Sequence, residues 1–331
     1  MPQLRQNVIT GEWVVIAPER AKRPDEFVTA ENVKREPIKN CVFCVNGKEY
    51  RRGNIKEFET DLIYVLPNKY PAFSQDKRHA SPRTLLIEDD FYRMKPALGG
   101  NDIVVVKEHS TNLFQFSRRQ WHDLFSVIKQ RYLYWRNDRN SEYTMAIYNE
   151  GKRAGASIVH PHAQIFSSDI VVNQVVKELN GSDQYFKHNT RCVFCDLNDH
   201  ERRQKSRIIF ENDLFTAFTF YAARFPFESW VLPKEHASHF EHVSDRYLAS
   251  LGETMHDLMA MYAKVLSNPP INFYIHDLPS SLVVSSHYHW HIEITPRITN
   301  YGGYELGSDV IIDVMNPEEA ASFLRSSGHI K

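Results

Sequence analysis

Two histidines separated by one residue stand in the segment His160-Pro161-His162-Ala163-Gln164, between a stretch of small residues and an apolar run. On an extended segment, side chains two residues apart point to the same side of the backbone, so both imidazoles can act on one small volume. Imidazole titrates near neutral pH, binds metals and can attack phosphorus as a nucleophile. The spacing therefore predicts a chemical site rather than a packing arrangement.

The four cysteines of the chain form two identical tetrads, Cys41-Val42-Phe43-Cys44 and Cys192-Val193-Phe194-Cys195. Paired thiolates are soft ligands that suit zinc, and thiols stay reduced in the cytosol. A redox CxxC is the alternative, but such a motif usually lies at the start of a helix and needs only one copy. The duplication favours a metal.

The two halves of the chain repeat the same order of motifs. Lys107-Glu108-His109 and Lys234-Glu235-His236 each precede a helix N-cap by the same interval. His160-Pro161-His162-Ala163-Gln164 then aligns with His289-Trp290-His291-Ile292-Glu293. Self-similarity of this kind indicates one domain that has been duplicated.

The alignment supplies the remaining metal ligands, since each cysteine pair needs two more donors for a closed tetrahedral zinc site. The predicted ligands are Cys41, Cys44, His109 and His160 in site 1, and Cys192, Cys195, His236 and His289 in site 2. His239, His276, His287 and Glu178 are rival donors, although each is individually more typical of an ordinary polar residue. We therefore expect one or two zinc ions per chain.

If His160 binds zinc, His162 is left as a nucleophile beside a neighbour whose orientation the metal fixes. A neutral imidazole nitrogen can attack phosphorus and split one transfer into two displacements. Gln164 can donate an amide hydrogen to a phosphoryl oxygen, and Asn149 and Ser157 can donate from the preceding loop. The predicted chemistry is phosphoryl transfer, with His162 and Gln164 as catalytic residues.

Sequence periodicity predicts the elements that position these residues. An N-terminal hairpin turns at Thr10-Gly11-Glu12, and two long helices are expected after the N-caps Ser117 and Ser244, with apolar residues at helical spacing. Strands are expected at 61–67, 103–106, 143–149, 207–210, 215–221, 230–232 and 271–276. Each HxH segment follows the last strand of its repeat.

Composition is that of a globular protein, with 331 residues, 42% apolar and 24% charged. A formal net charge of -1 argues against a protein that holds nucleic acid by bulk positive charge. No apolar run reaches the roughly 18 residues that a membrane helix needs, and the N-terminus lacks the pattern of a secretory signal. We expect a cytoplasmic protein that binds neither nucleic acid nor membrane.

Over nearly its whole length the chain resembles the galactose-1-phosphate uridylyltransferase branch of the histidine-triad superfamily. The resemblance is carried by the stretch from Arg5 to Pro24, the first CxxC, Asn149-Glu150-Gly151, Ser157, the HPHxQ segment and Gly303-Tyr304-Glu305-Leu306-Gly307. It implies an α+β fold of two histidine-triad-like repeats, each an antiparallel sheet with packed helices. We place the catalytic repeat at residues 1–175 and a structural repeat, with the second metal site and substrate contacts, at 176–331.

The resemblance also implies substrate and residue roles. His162 would take the nucleotidyl group from a nucleotide sugar, release a hexose 1-phosphate and pass the group to a second sugar phosphate. Asn149, Ser157 and Gln164 would hold the phosphates, Arg20, Arg23 and Asn68 would lie near the nucleotide, and Tyr304 and Glu305 would meet the hexose phosphate. A homodimer is implied, because in that family each active site is completed by the partner subunit.

Three alternatives to UMP transfer from UDP-glucose to galactose 1-phosphate remain. The second cysteine pair together with Tyr288-His289-Trp290-His291 looks more like the ADP-glucose phosphorylase relatives, which transfer adenylyl groups to phosphate; a dinucleoside polyphosphate phosphorylase belongs to the same class. A histidine-triad hydrolase is disfavoured by Gln164, where such hydrolases have a third histidine. A zinc-stabilised scaffold would leave Asn149, Ser157 and His162 unexplained.

Overall fold

The structure is a computed structural model that describes residues 1–20, 35–75, 86–87 (backbone only) and 91–327. Within these ranges the strands are β1 (Gln3–Gln6), β2 (Trp13–Ile16), β3 (Ile63–Pro67), β4 (Leu86–Ile87), β5 (Arg93–Met94), β6 (Gly99–Val106), β7 (Tyr143–Glu150), β8 (His162–Ser168), β9 (Ile208–Glu211), β10 (Phe215–Thr219), β11 (Ser229–Pro233), β12 (Ile271–His276), β13 (His291–Pro296) and β14 (Ile311–Asp313). The helices are α1 (Lys48–Gly53), α2 (Arg118–Arg136), α3 (Asn173–Asn189), α4 (Val193–Gln204), α5 (Asp245–Leu266), α6 (Gly303–Ser308) and α7 (Pro317–Ser327).

One large antiparallel sheet joins the two repeats. Across the described residues its nine strands run in the order β3-β6-β8-β7-β12-β13-β11-β10-β9. The strands of the first half and those of the second meet at β7 and β12, where Tyr148 lies opposite Phe273. The α+β class with antiparallel strands is therefore confirmed, and the two predicted repeats share a sheet instead of forming separate ones.

A smaller sheet contains the N-terminal hairpin. β1 pairs with β2 as the turn at residues 10–12 predicts, and β14 adds to β2 in parallel. The predicted hairpin is confirmed, although its first strand precedes Asn7. α3 lies against the hairpin turn, since a side chain on Gly181 would meet the Ile9 carbonyl.

The long helices cover one face of the large sheet. Ser117 caps α2 in a capping box with Gln120, and Ser244 occupies the N-cap position of α5. The apolar stripes of both helices enter one buried cluster with alternate residues of the central strands, among them Ala163 and Ile165 of β8. Because side chains alternate along a strand, His162 and Gln164 point to the opposite face.

No helix in the described part of the chain is both long enough and apolar enough to cross a bilayer.

The close contact between α3 and the hairpin leads to a test of stability. In a helix interior alanine is normally favoured over glycine by about 1 kcal/mol, but a Cβ at Gly181 would stand 1.7 Å from the Ile9 carbonyl oxygen. We expect Gly181→Ala to lower the free energy of unfolding by about 1–3 kcal/mol, the usual cost of overpacking. Denaturant titration would measure it.

Gly307→Ala in α6 is the control, because apart from the backbone of α6 itself and the two neighbouring residues no atom lies within 4 Å of its Cβ position. Equal stability of the two variants would mean that α3 does not press against the hairpin.

Candidate active site

Four ligand-type side chains of the first repeat converge at one point. The donor atoms of Cys41, Cys44, His109 and His160 all lie within 4.8 Å of one another. Cys41 Sγ is 3.4 Å and Cys44 Sγ 3.8 Å from His160 Nδ1, and the Nδ1 atoms of His109 and His160 are 3.3 Å apart. A tetrahedral zinc site with Zn–S of about 2.3 Å and Zn–N of about 2.0–2.1 Å places its donors roughly 3.3–3.8 Å apart. The arrangement therefore fits zinc.

Backbone carbonyls orient both histidines of this group. His160 Nε2 lies 2.6 Å from the Val106 carbonyl and His109 Nε2 lies 2.9 Å from the Glu36 carbonyl. Since a carbonyl only accepts, each Nε2 carries the hydrogen and each Nδ1 presents its lone pair to the group. Burial lowers the pKa of His160 to about 4, which keeps the ring in the neutral form that a metal needs.

His162 is held in the tautomer that leaves one ring nitrogen with a lone pair for nucleophilic attack. Its Nδ1 lies 2.8 Å from the carbonyl oxygen of His160, so Nδ1 donates a hydrogen bond and Nε2 keeps the lone pair. Burial lowers the pKa of the ring below its usual value. At neutral pH the imidazole is therefore uncharged, with one nitrogen available for attack.

A cavity of about 310 Å³ lies beside His162, and Asn149, Ser157 and His160 also line it. Its wall is the loop that follows β7, in which Gly151 has φ +86° and Gly155 φ +93°. A side chain at these positions would be strained, so the glycines allow the backbone to fold closely around the cavity. Three of the residues predicted to act on phosphate, Asn149, Ser157 and His162, are thus brought together.

Phe43 is a contact that the sequence analysis missed. Its ring lies edge-on to the His162 ring, with the ring centroids 5.2 Å apart, and the centroid of the His160 ring is 6.3 Å away. In the second repeat Phe194 lies at the same 5.2 Å from His291. The signal was present, because both cysteine tetrads carry phenylalanine at the same place.

Gln164 and Asn68 lie outside the lining of this cavity. Gln164 is two residues beyond His162 and pairs across the sheet with Ile147 and Ile103. Asn68, after β3, donates from Nδ2 to Asn101 Oδ1 at 2.7 Å.

The remaining predicted substrate residues are not gathered around His162. Arg20 is exposed at the end of a short turn after β2, and Arg23 lies outside the described residues. Tyr304 is 57% exposed on α6, and Glu305 accepts from the Gly302 amide at 2.8 Å. Neither Arg20, Tyr304 nor Glu305 lines the cavity beside His162.

In the second repeat, three of the four predicted ligands come together. The donor atoms of Cys192, Cys195 and His236 lie within 4.8 Å of one another, and His236 Nε2 lies 2.9 Å from the Ser285 carbonyl. His289 is not part of the group, because its Nδ1 and Nε2 face the carbonyls of Trp290 and Glu235 at 2.9 and 3.1 Å. Its ring is nevertheless beside that of His236, with centroids 5.4 Å apart.

Cys192 is the N-cap of α4, which is the place that the redox alternative expects. The neighbouring Cys195 thiol and the His236 ring lower the pKa of Cys192 to about 5. A histidine beside the pair adds a third donor that a dithiol does not require. The group thus has one more ligand-type side chain than a redox dithiol needs.

A third group consists of Glu178, His276, His291 and Glu293, whose donor atoms also lie within 4.8 Å of one another. His276 Nδ1 is 2.9 Å from Glu178 Oε1, and His291 Nε2 is 3.5 Å from Glu293 Oε1. The sequence offers His276 and Glu178 as rival metal donors, and the structure places them in this separate buried group. α3 brings Glu178 there, within a segment for which the sequence analysis predicted no element.

A larger cavity of about 750 Å³ lies between α4 and the hairpin. Its lining includes Tyr185, Arg207 and Tyr221 but none of the histidines or cysteines discussed above, so the smaller cavity is the candidate active site.

Comparison with known proteins identifies the family. The model of the galactose-1-phosphate uridyl transferase N-terminal domain matches residues 1–172, and that of the C-terminal domain matches residues 178–324. The chain belongs to this family. The resemblance inferred from the sequence is therefore confirmed.

Individual relatives cover nearly the whole chain. An ADP-glucose phosphorylase of Arabidopsis thaliana is 30% identical over 98% of this chain and 92% of its own. A galactose-1-phosphate uridylyltransferase of Thermotoga maritima is 25% identical over 99% of both chains.

The crystal structure of an Arabidopsis thaliana ADP-glucose phosphorylase with bound ADP-glucose matches with a TM-score of 0.83 at 29% identity, over 98% of each chain. A uridylyltransferase structure matches with a TM-score of 0.74 at 25% identity, over 99% of this chain and 98% of its own.

Proposed function

We propose that this protein moves UMP between UDP-glucose and a hexose 1-phosphate, most simply galactose 1-phosphate, through a covalent nucleotidyl-histidine at His162. The observation that carries the proposal is the hydrogen bond from His162 Nδ1 to the His160 carbonyl, which leaves Nε2 with its lone pair beside the cavity. Family membership and the uridylyltransferase relatives support the choice of reaction.

The reaction consists of two balanced displacements. His162 Nε2 attacks the α-phosphorus of the nucleotide sugar, an N–P bond forms, and the bond from that phosphorus to the bridging oxygen breaks. The electron pair of the broken bond stays on the departing sugar 1-phosphate. A phosphate oxygen of the second sugar phosphate then attacks the same phosphorus and returns the electron pair to His162 Nε2.

The polar residues stabilise charge and do not transfer protons. Asn149 and Ser157 line the cavity and can donate to phosphoryl oxygens, while Gln164 follows on the same strand face. Catalysis of this kind consists mainly of positioning and charge stabilisation. Gln164 has no acidic proton to give to a leaving group, which favours transfer over histidine-triad hydrolysis.

A second candidate reaction is phosphorolysis of ADP-glucose, with adenylyl transfer to phosphate. The specific observation in its favour is the Arabidopsis relative, which has higher identity and a higher TM-score than the uridylyltransferases compared above. The same nucleophile serves both reactions, which differ in the base and the acceptor.

We further propose that the active site is completed by a second copy of the chain. Tyr304 lies exposed on α6, away from the cavity lining, and a partner subunit could bring that segment to the hexose phosphate. Arg20, Arg23, Asn68 and Glu305 keep the substrate roles that the resemblance implies.

A metal site with cysteine ligands needs reduced thiols, and this requirement supports the predicted cytoplasmic location.

Zinc is proposed for both cysteine-containing groups; at site 2 the His289 ring would turn from its backbone carbonyls to become the fourth ligand beside Cys192, Cys195 and His236. Zinc at site 1 would be held by Cys41, Cys44, His109 and His160 and would fix the backbone on which His162 stands. This is a structural contribution, and the chemical steps use the protein's own side chains. The division into a catalytic repeat at 1–175 and a supporting repeat at 176–331 is part of the same proposal.

The nucleophile can be tested by trapping. Incubation with labelled UDP-glucose or ADP-glucose, without acceptor, is expected to give an acid-labile nucleotidyl adduct that His162→Ala does not form, because this variant lacks the attacking nitrogen. The label that remains bound after gel filtration measures the adduct and identifies the base.

His291→Ala removes the corresponding histidine of the second repeat and is expected still to form the adduct. An adduct in His162→Ala, or none in the wild-type protein with either nucleotide sugar, would contradict the covalent mechanism.

Gln164→Ala is expected to slow adduct formation by about 10²-fold, the usual scale for one lost transition-state donor. Rapid-quench measurement of a single turnover gives this rate directly. An unchanged rate would show that the Gln164 amide does not act on the phosphoryl group.

Metal content tests the two zinc sites separately. Cys41→Ser and Cys192→Ser are each expected to lose about one zinc per chain, since one missing thiolate opens a tetrahedral site. Elemental analysis of the purified folded proteins measures the loss. An unchanged content in Cys192→Ser would remove site 2 and leave site 1 standing, whereas metal above two ions per chain would point to the third group.

A further inference from the structure

Asn272, in the second repeat, lies directly beside the candidate active site of the first. It faces Asn149 across the pairing of β12 with β7. β7 and β8 pair with Tyr148 opposite Ala163, and one further step along this register places Asn149 opposite His162. Asn272, Asn149 and His162 therefore form a row across three adjacent strands, on one face of the sheet.

The side-chain amide of Asn272 makes two hydrogen bonds into the site. Its Nδ2 donates to Asn149 Oδ1 at 2.7 Å and to the Ala154 carbonyl at 2.7 Å. An amide nitrogen has two hydrogens, so both are used. One holds a side chain that lines the cavity, and the other holds the glycine-containing loop.

The first of these bonds determines which end of the Asn149 amide is left for a ligand. Because Asn149 Oδ1 accepts from Asn272, Asn149 Nδ2 is the end of the amide that can donate to a ligand. This nitrogen lies at the loop, 3.6 Å from where a Cβ on Gly155 would stand. A phosphoryl oxygen needs a donor, and an amide turned the other way would present an oxygen to it.

We propose that Asn272 is a positioning residue for nucleotidyl transfer. It holds Asn149 in the orientation that donates to phosphate and fixes the loop from Gly151 to Ser157 through the Ala154 carbonyl. The inference rests on the proposed function and extends it, since it assigns to the second repeat a direct part in arranging the phosphate site of the first.

Asn272→Asp is the informative variant, because the side chain keeps its shape and loses its donor. The new carboxylate would face two oxygen acceptors, and Asn149 would turn its Nδ2 toward the carboxylate and its Oδ1 toward the phosphate. We expect single-turnover adduct formation to fall by about 10²-fold. The Kd of the nucleotide sugar, from calorimetry, is expected to change much less, because the lost interaction belongs mainly to the transition state.

A double-mutant cycle distinguishes a positioning role of Asn272 from a nonspecific loss of activity. If Asn272 acts through Asn149, Asn272→Asp is expected to add little to the loss already caused by Asn149→Ala. Asn272→Ala, which adds no charge, is a second variant in case Asn272→Asp does not fold, and we expect its adduct formation to fall by roughly 10-fold.

Asn212→Ala is the matched control. Asn212 Nδ2 donates to Thr254 Oγ1 at 2.9 Å, at the β9–β10 turn on the far edge of the sheet, and this variant is expected to keep the wild-type rate per folded molecule.

The outcomes distinguish this inference from the function on which it rests. Folded Asn272→Asp or Asn272→Ala with the wild-type rate of adduct formation overturns the positioning role and leaves the nucleotidyl transfer intact. Fully additive losses in the cycle with Asn149→Ala overturn it as well. Absence of an adduct in the wild-type protein overturns both proposals together.

Discussion

The candidate site depends on the hydrogen bond from His162 to the carbonyl oxygen of His160. That bond, at 2.8 Å, decides the tautomer of His162 and thereby which nitrogen has a lone pair to use. The carbonyl stays in place because His160 is held by the Val106 carbonyl and by the neighbouring thiols. The contacts that fix His160 therefore also fix the orientation of His162, because the two residues are linked through the His160 carbonyl.

The second repeat keeps this arrangement and uses it differently. His291 Nδ1 lies 3.2 Å from the His289 carbonyl, and Phe194 contacts the ring as Phe43 contacts His162. The Nε2 of His291, however, is completely buried and faces Glu293, which stands where the first repeat has Gln164. A nitrogen enclosed among carboxylates cannot reach a nucleotide, so duplication has preserved the backbone geometry while the surrounding residues have changed its chemistry.

Local sequence signals predicted several of the secondary-structure elements, including the hairpin and the two long helices, and the metal-ligand group of the first repeat. N-caps, apolar periodicity and turn residues placed α2, α5, β12 and the hairpin within a few residues, because such signals act over one or two turns. The alignment of the two repeats predicted that Cys41, Cys44, His109 and His160 would meet, and the structure brings them together. These residues occur twice in the same order, which made the pattern recognisable without knowledge of the fold.

Long-range pairing could not be predicted in the same way. The placement of Glu178 depends on α3, whose amphipathic pattern gives no information about the neighbours of its buried face. The separation of His289 from Cys192, Cys195 and His236 depends on which carbonyls surround its ring. Glu178 and His289 are thus placed by contacts between segments far apart in the chain, with His276 and with the Glu235 carbonyl, and the residue types alone do not specify them.

The pairing of β7 with β12 gives the second repeat a structural role, although that repeat has no evident nucleophile. The largest buried cluster takes residues from both repeats, including Trp121 of α2, Leu251 of α5 and Phe273 of β12. Phe273 stacks on Tyr148 with ring centroids 5.5 Å apart, one residue before Asn149. Exposing such aromatic residues would cost on the order of 2–3 kcal/mol each. β7, the strand that ends at the loop beside the candidate site, is therefore held by the second repeat on both faces of the sheet, through packing on the helix side and through Asn272 on the side of His162.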